Sequence, residues 1–313
     1  MNAYFTFRDA FGFRNARESA GSTRKAYASD LRDFAAYCER IGASPLPAEP
    51  PVVATYLGTI SETKSVATIR RRMVAIAQAH KAADLPNPVA DRTVQAVLSG
   101  IARTKSVVQT RKDALTLDRL EESVKGLDDG LKGQRDRAML LLTFACALRR
   151  SEAAALDVAD LKFSRRGLVV TIRRSKTDQD GEGREIGVPI IPNSRLCAAT
   201  SVKKWLAAAR ITEGPVFRTF NGGGKLTANR IDGKDIARLV QRVTKAAGID
   251  GDFAGHSLRA GFITSAAETK GVSEADIARI SGHRSVAILR GYVRRANVFD
   301  EAPLSAMLDK RRV

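Results

Sequence analysis

Cysteine, histidine, tryptophan and long apolar runs are scarce in this chain. Its 313 residues hold three cysteines, three histidines and one tryptophan. The cysteines, Cys38, Cys146 and Cys197, are far apart and odd in number. That pattern excludes a disulfide framework and a cysteine-rich zinc site, and it fits a reducing, cytoplasmic compartment. With no HExxH motif and no dense carboxylate cluster, no catalytic metal and no cofactor are expected. The longest apolar run, Ala138 to Leu148, is too short for a bilayer span, which needs about 20 residues. Arg8, Asp9 and Arg14 interrupt any apolar stretch at the N-terminus, so there is no signal-peptide pattern. No internal repeat or low-complexity tract stands out.

What the chain has in excess is positive charge. Fifty-two Lys and Arg face 34 Asp and Glu, a net charge of +18. An imbalance of that size serves association more than folding and points to a polyanionic partner. Nucleic acid is the first candidate, and an anionic membrane surface is the second. Hydrophobic residues at 44% suffice for a buried core, and the length suggests two domains. The excess is shared between the parts: 15 basic against 9 acidic residues in 1–105, and 37 against 25 in 106–313.

Apolar spacing makes the first part helical. Ser22 and Thr23 can cap a helix through Tyr27, Leu31, Phe34 and Tyr37. Gly42 and the prolines at 45, 47, 50 and 51 end it in a loop. Short helices follow at Val52 to Thr59, Ser65 to Ala83 and Asp91 to Ile101, with no strand signal. His80, on the apolar face of the third, reads as structural. Phe5, Phe7, Phe11 and Phe13 pack on the bundle more readily than on a neighbouring protomer. Residues 103–113 are polar, basic and aperiodic, which suits a linker between domains 1–104 and 105–313.

The second part is mixed. Helices are expected at Leu117 to Gly126, Arg135 to Leu148, Ser194 to Ala209 and Gly233 to Ala247. Gly167 to Arg174 and Glu185 to Ile191 should pair as a β-hairpin. Asn221 to Lys225 lacks the GxxxxGK[ST] spacing of a phosphate cradle and reads as a flexible turn. From His256 the chain is helical again, broken at Gly271 and Gly282. Ser273 with Asp276 resembles a capping box for the helix ending near Ser281.

Metal-free phosphodiester chemistry needs arginines to clamp non-bridging oxygens. It also needs a Lys or His to protonate the leaving oxygen, and a side-chain nucleophile, for which Tyr is suitable. The second part contains all of these. Two of the three histidines, His256 and His283, fall in its last 60 residues, and Tyr292 is its one tyrosine.

At these residues the chain resembles the tyrosine recombinase (phage integrase) family. The matching stretches are ALRRSEAAALDVADL (147–161), SKTDQDGEGREIGVP (175–189), HSLRAGFITSAAETKGV (256–272) and ISGHRSVAILRGYVRR (280–295). The resemblance implies a mainly α fold with a small β-sheet or hairpin. An all-helical core-binding domain and an α+β catalytic domain would form a C-shaped clamp on duplex DNA. It assigns Arg149 and Arg259 to the scissile phosphate and Lys176 to protonation of the departing 5′ oxygen. His256 becomes an acid/base, His283 a hydrogen-bonding partner of the phosphate, and Tyr292 the nucleophile. Glu152 matches the acidic position that orients a catalytic group.

The implied function is site-specific DNA recombination through a 3′-phosphotyrosyl intermediate and a Holliday junction, without metal or ATP. A type IB topoisomerase-like nicking-closing enzyme and a catalytically silent DNA-binding protein are the alternatives. The implied partners are double-stranded DNA with paired inverted half-sites and three further copies in a tetramer. The segment 298–308 would dock on a neighbouring copy. Residues 1–20 are too few for a further DNA-binding module. Arg70, Arg71, Arg72, Arg173 and Arg174 are expected on DNA phosphates, and base reading by helices in the major groove. No membrane association is expected, and the protein should be cytoplasmic and DNA-associated.

Overall fold

A computed structural model describes residues 21–105, 112–173 and 183–283. The chain divides into two compact units, Met1–Thr110 and Arg111–Val313.

The described part of the first unit has four α-helices, α1 (Gly21–Arg40), α2 (Pro50–Ser61), α3 (Val66–Ala82) and α4 (Arg92–Thr104), with a short 3-10 helix at Pro88–Ala90. Leu31, Phe34 and Tyr37 of α1 are buried with Val53, Tyr56 and Leu57 of α2 and Ile69, Met73 and Ile76 of α3. Pro50 and Pro51 open α2 rather than extending the preceding loop. Proline suits the first helical turn, where its fixed φ fits and its missing N–H would have no partner. Ser65 and Asp91 cap α3 and α4 by accepting from the amides of Thr68 (3.3 Å) and Thr93 (2.8 Å). His80 is fully buried and structural. Its Nε2 accepts from the Ala48 amide at 2.9 Å, and its Nδ1 faces the Ile76 carbonyl at 2.9 Å.

The basic run on α3 meets three different environments. Arg70 is exposed. Arg71 is locked bidentately onto Asp30, with both contacts at 2.8 Å. Arg72 is buried, and its guanidinium meets Asp33 and the Tyr56 hydroxyl. Helical periodicity turns neighbouring positions by about 100°, so three successive arginines cannot share an environment.

The second unit contains helices α5 (Leu117–Lys125), α6 (Leu131–Ala145), α7 (Arg150–Ala155), α8 (Ala198–Ala208), α9 (Gly233–Ala246), α10 (Ser257–Glu268) and α11 (Glu274–Ser281). A three-stranded antiparallel sheet, β1 (Leu161–Phe163), β2 (Gly167–Ile172) and β3 (Arg184–Pro189), follows α7 in the chain. Its central register pairs Val170 with Ile186. Leu168, Val170, Ile172, Ile186 and Val188 point into the core. The expected hairpin is therefore present, with β1 added at its edge. Asn221 to Lys225 joins a second hairpin, β4 (Arg218–Phe220) and β5 (Leu226–Arg230). The Asn221 side chain accepts from the Gly223 and Lys225 amides, so this is a tied turn rather than a loose one. Among the described residues, no helix is long and apolar enough to cross a membrane.

Two packing details place the candidate site residues. α6 is buried without a break from Ala138 to Phe144, as an apolar run without amphipathic period must be. It ends in a Schellman motif. The Leu148 amide bonds the Thr143 carbonyl at 2.9 Å, and the Ala147 amide bonds that of Phe144 at 2.8 Å. Ala147 takes the left-handed conformation usually given to glycine there, φ 46°. The helix therefore stops before Leu148, and Arg149 begins a new turn. α10, in its turn, lies directly on the Leu115 backbone. A Cβ on Gly261 would come within 1.7 Å of the Leu115 oxygen, so only glycine allows this approach.

Candidate active site

Arg149 immediately precedes α7, in extended conformation. Glu152, three residues on, sends its carboxylate back to the Arg149 amide (2.9 Å) and to the Arg149 guanidinium (2.7 Å). This is the acidic half of a capping box. The R-x-x-E spacing thus caps a short helix and aims an arginine in one motif. The Glu152 side chain is 2% exposed and the Arg149 side chain 19%. The pair is dry on the acidic side and open on the basic side.

The same carboxylate binds a second arginine that the sequence analysis did not single out. Arg184, at the start of β3, reaches Glu152 at 3.3 Å and the Ser281 carbonyl at 3.4 Å. Burial is the main cause that lowers its pKa, and Arg149 adds to it, against the attraction of Glu152. A guanidinium nevertheless stays charged. The signal was available: Arg184 is on the inward face that Ile186 and Val188 occupy. A charged residue in phase with buried ones needs a buried partner.

Arg259 lies in the first turn of α10 and is 1% exposed. One nitrogen donates to the Ala147 carbonyl at 2.7 Å, the group that the left-handed turn after α6 presents. The other, Nη2, is 3.1 Å from His283 Nε2 and 3.4 Å from Nδ1. Near-equal distances to both ring nitrogens put it over the imidazole face, on neither lone-pair axis. His283 follows Gly282, the left-handed residue that ends α11. Burial chiefly, then Arg259, Arg149, His256 and Arg184, push its pKa down to about 4. His256 caps the start of α10 and is exposed. Arg259 is buried and His256 exposed, yet both bear on His283. The nearby Cys146 thiol is pushed up to about 12 by burial, which disqualifies it as a nucleophile.

The structure thus gathers Arg149, Glu152, Arg184, Arg259 and His283 at the meeting of α6, α7, β3, α10 and α11, with His256 contributing to the field on His283. Arg173 is exposed and paired with Asp160. Lys176, Arg174, Tyr292 and the segment 298–308 lie outside the described residues.

One buried guanidinium, Arg259, and two half-buried ones, Arg149 and Arg184, ordered by one carboxylate and by backbone carbonyls, could together receive a tetrahedral anion. The family model of the phage integrases matches residues 113–297, the span that holds the whole cluster. The chain belongs to the phage integrase family. It is a tyrosine recombinase, an enzyme of site-specific DNA recombination. It is 35% identical to an integrase/recombinase xerD homolog of Selenomonas ruminantium over 95% of this chain and 88% of that one. It is 26% identical to the recombinase cre of Escherichia phage P1 over 90% and 86% of the two chains. Among solved structures, the Tn1549 transposon integrase in complex with transposon right end DNA superposes with a TM-score of 0.66 at 16% identity, over 100% and 99% of the chains. The XerH site-specific recombinase bound to a palindromic difH substrate gives 0.64 at 14% identity, over 99% and 95%. These last two likenesses concern the fold: mainly helical, with small antiparallel sheets. Nothing among the relatives supports the topoisomerase-like alternative.

Proposed function

We propose that this recombinase cleaves duplex DNA at paired inverted half-sites, with Arg149 and Arg259 holding the scissile phosphate. The observation that carries the assignment is the shared ordering of these two arginines. Glu152 fixes one and the Ala147 carbonyl fixes the other, so both are set before substrate arrives. Preorganised donors of this kind stabilise charge that develops on phosphate oxygens. His283 stands beside the same phosphate. Tyr292 attacks phosphorus, and the bond to the 5′ oxygen breaks. Lys176 supplies that oxygen's proton while His256 assists proton movement. The 5′-hydroxyl of a partner strand later reverses the step. The phosphotyrosyl bond conserves the energy, so neither ATP nor metal is required.

On this reading residues 1–104 form a core-DNA-binding domain and 105–313 the catalytic one. Arg70, Arg173 and Arg174 contact phosphates, while Arg71 and Arg72 act mainly through their carboxylate partners. Affinity falls steeply with salt, as backbone-dominated binding does. Four copies assemble on two sites, with 298–308 docking on a neighbour. The XerH complex on palindromic DNA supports the inverted half-sites. The protein works in the cytoplasm, on DNA.

Denaturing gels test the proposal. DNA nicked beside candidate inverted repeats should trap a covalent adduct with the wild-type protein, in the presence of EDTA, and none with Tyr292→Phe. An adduct that survives the substitution moves the nucleophile elsewhere. Loss of cleavage in EDTA would sink the metal-free mechanism.

A further inference from the structure

Ser281 closes α11 and is fully buried. Its Oγ lies 2.6 Å from the Ile277 carbonyl oxygen and 2.8 Å from Nδ1 of His283. A carbonyl only accepts, and a serine hydroxyl has one proton to give. The 2.6 Å contact claims that proton, because otherwise two oxygens would face each other lone pair to lone pair. The Ser281 oxygen therefore meets His283 as an acceptor, and Nδ1 must carry hydrogen. A neutral imidazole has one N–H, so Nε2 is unprotonated.

The surroundings hold the ring neutral. Arg259 lies over its face, and Arg149, Arg184 and His256 also bear on it. A cation over the face of an imidazole opposes a second positive charge there. His80 is built alike, with Nδ1 toward the carbonyl one turn earlier in its helix and Nε2 accepting.

We propose that Ser281 is a positioning residue that fixes His283 in the Nδ1–H form, so that His283 enters the reaction as a proton acceptor and not as a neutral hydrogen-bond donor. This rests on the recombinase reading above and specifies its proton path. As the Tyr292 oxygen bonds to phosphorus, its proton passes to Nε2 of His283, which becomes imidazolium while Nδ1–H stays on Ser281. Lys176 gives its proton to the departing 5′ oxygen. In rejoining, the imidazolium returns the proton to the tyrosine oxygen as the P–O bond to Tyr292 breaks. The negative phosphate, brought in by DNA, raises the basicity of Nε2 where it is needed.

The ring nitrogens can be read directly in the free protein. Long-range proton–nitrogen correlation spectra of histidine-labelled protein at pH 7, assigned with His283→Asn, should show a pyrrole-type Nδ1 and a pyridine-type Nε2. A protonated Nε2, alone or with Nδ1, overturns the proposal. Ser281→Ala should shift the ring toward the Nε2–H form and slow strand cleavage about tenfold, the scale of one buried hydrogen bond. DNA affinity should not change, and Ser281→Thr should recover both properties. In the wild type, cleavage should fall on the acid side of the pH profile, where Nε2 is already protonated; a donor role predicts the opposite limb. An unchanged cleavage rate in a Ser281→Ala protein whose tautomer has shifted also refutes the proton-acceptor role. Because the tautomer is measured without DNA, it stands apart from the Tyr292→Phe result, so either reading can fail alone.

Discussion

Replacing Glu152 with glutamine removes one charge and almost no volume. The carboxylate serves three donors: the Arg149 amide and Arg184 share one oxygen, and the Arg149 guanidinium takes the other at 2.7 Å. A glutamine has a single acceptor oxygen. Its best placement keeps the shared position, preserving the α7 cap and Arg184. The amide NH2 then points at the Arg149 guanidinium, donor against donor, and that guanidinium must swing away. Losing a charge-assisted bond in a largely dry pair costs about 2 kcal/mol, at the lower part of the range because Arg149 can rehydrate. For a unit of about 200 residues that lowers Tm by roughly 4–8 °C. Cleavage should suffer more, about 100-fold, since one preorganised donor at the phosphate is lost. Calorimetry and a single-turnover cleavage assay on nicked DNA would report the two effects, with a gel-shift titration to show that binding persists. The loss should not add to that of Arg149→Ala, because both substitutions remove the same contact. A Glu152→Gln protein that cleaves at the wild-type rate, or whose defect multiplies with Arg149→Ala, would refute this account of how Arg149 is held.

Arg72→Met should destabilise the helical unit by about 1 kcal/mol, because the buried guanidinium's hydrogen bonds to the Tyr56 hydroxyl and Asp33 are lost while the exposed Asp33 can rehydrate. Arg70→Ala should leave melting unchanged and reduce the salt slope of DNA binding by about 1; equal effects from the two would mean that the run is a single surface after all. Stability should also fall in acid. The folded protein holds the pKa of His80 and His283 low, that of His283 at about 4, while the unfolded chain takes up protons near about 6.5. The loss therefore begins as pH drops below about 6.5 and grows toward the folded values. Urea midpoints between pH 7.5 and 4.5 should trace it, with a shallower slope in His283→Asn; identical slopes would contradict the buried, neutral ring.

Much of this protein is decided within short stretches of chain. Helix caps at Ser65 and Asp91, the apolar run of α6, the β-branched β2 and the R-x-x-E turn at Arg149 depend on near neighbours, so their physics is written locally. Four ordered motifs likewise carried the family, because residue types at fixed spacings are legible without the fold. Boundaries were less legible. α6 stops at Ala145, three residues early, because backbone bonds close a left-handed turn at an alanine that no composition rule marks. The short β1, β4 and β5, at three to five residues each, are too brief to show a clear alternation until they pair with the neighbouring strand of a hairpin. Partnership across distance is what only the tertiary structure decided. Asp30 and Asp33 claim two of three consecutive arginines. Arg184, 32 residues from Glu152, joins the site through the sheet. Arg259 reaches the ring of His283, 24 residues on in the chain. The sequence by itself determined which groups could do the chemistry. The fold decided which are buried, which are already engaged and where each proton sits, because those depend on desolvation and on partners that come together only when the chain is packed.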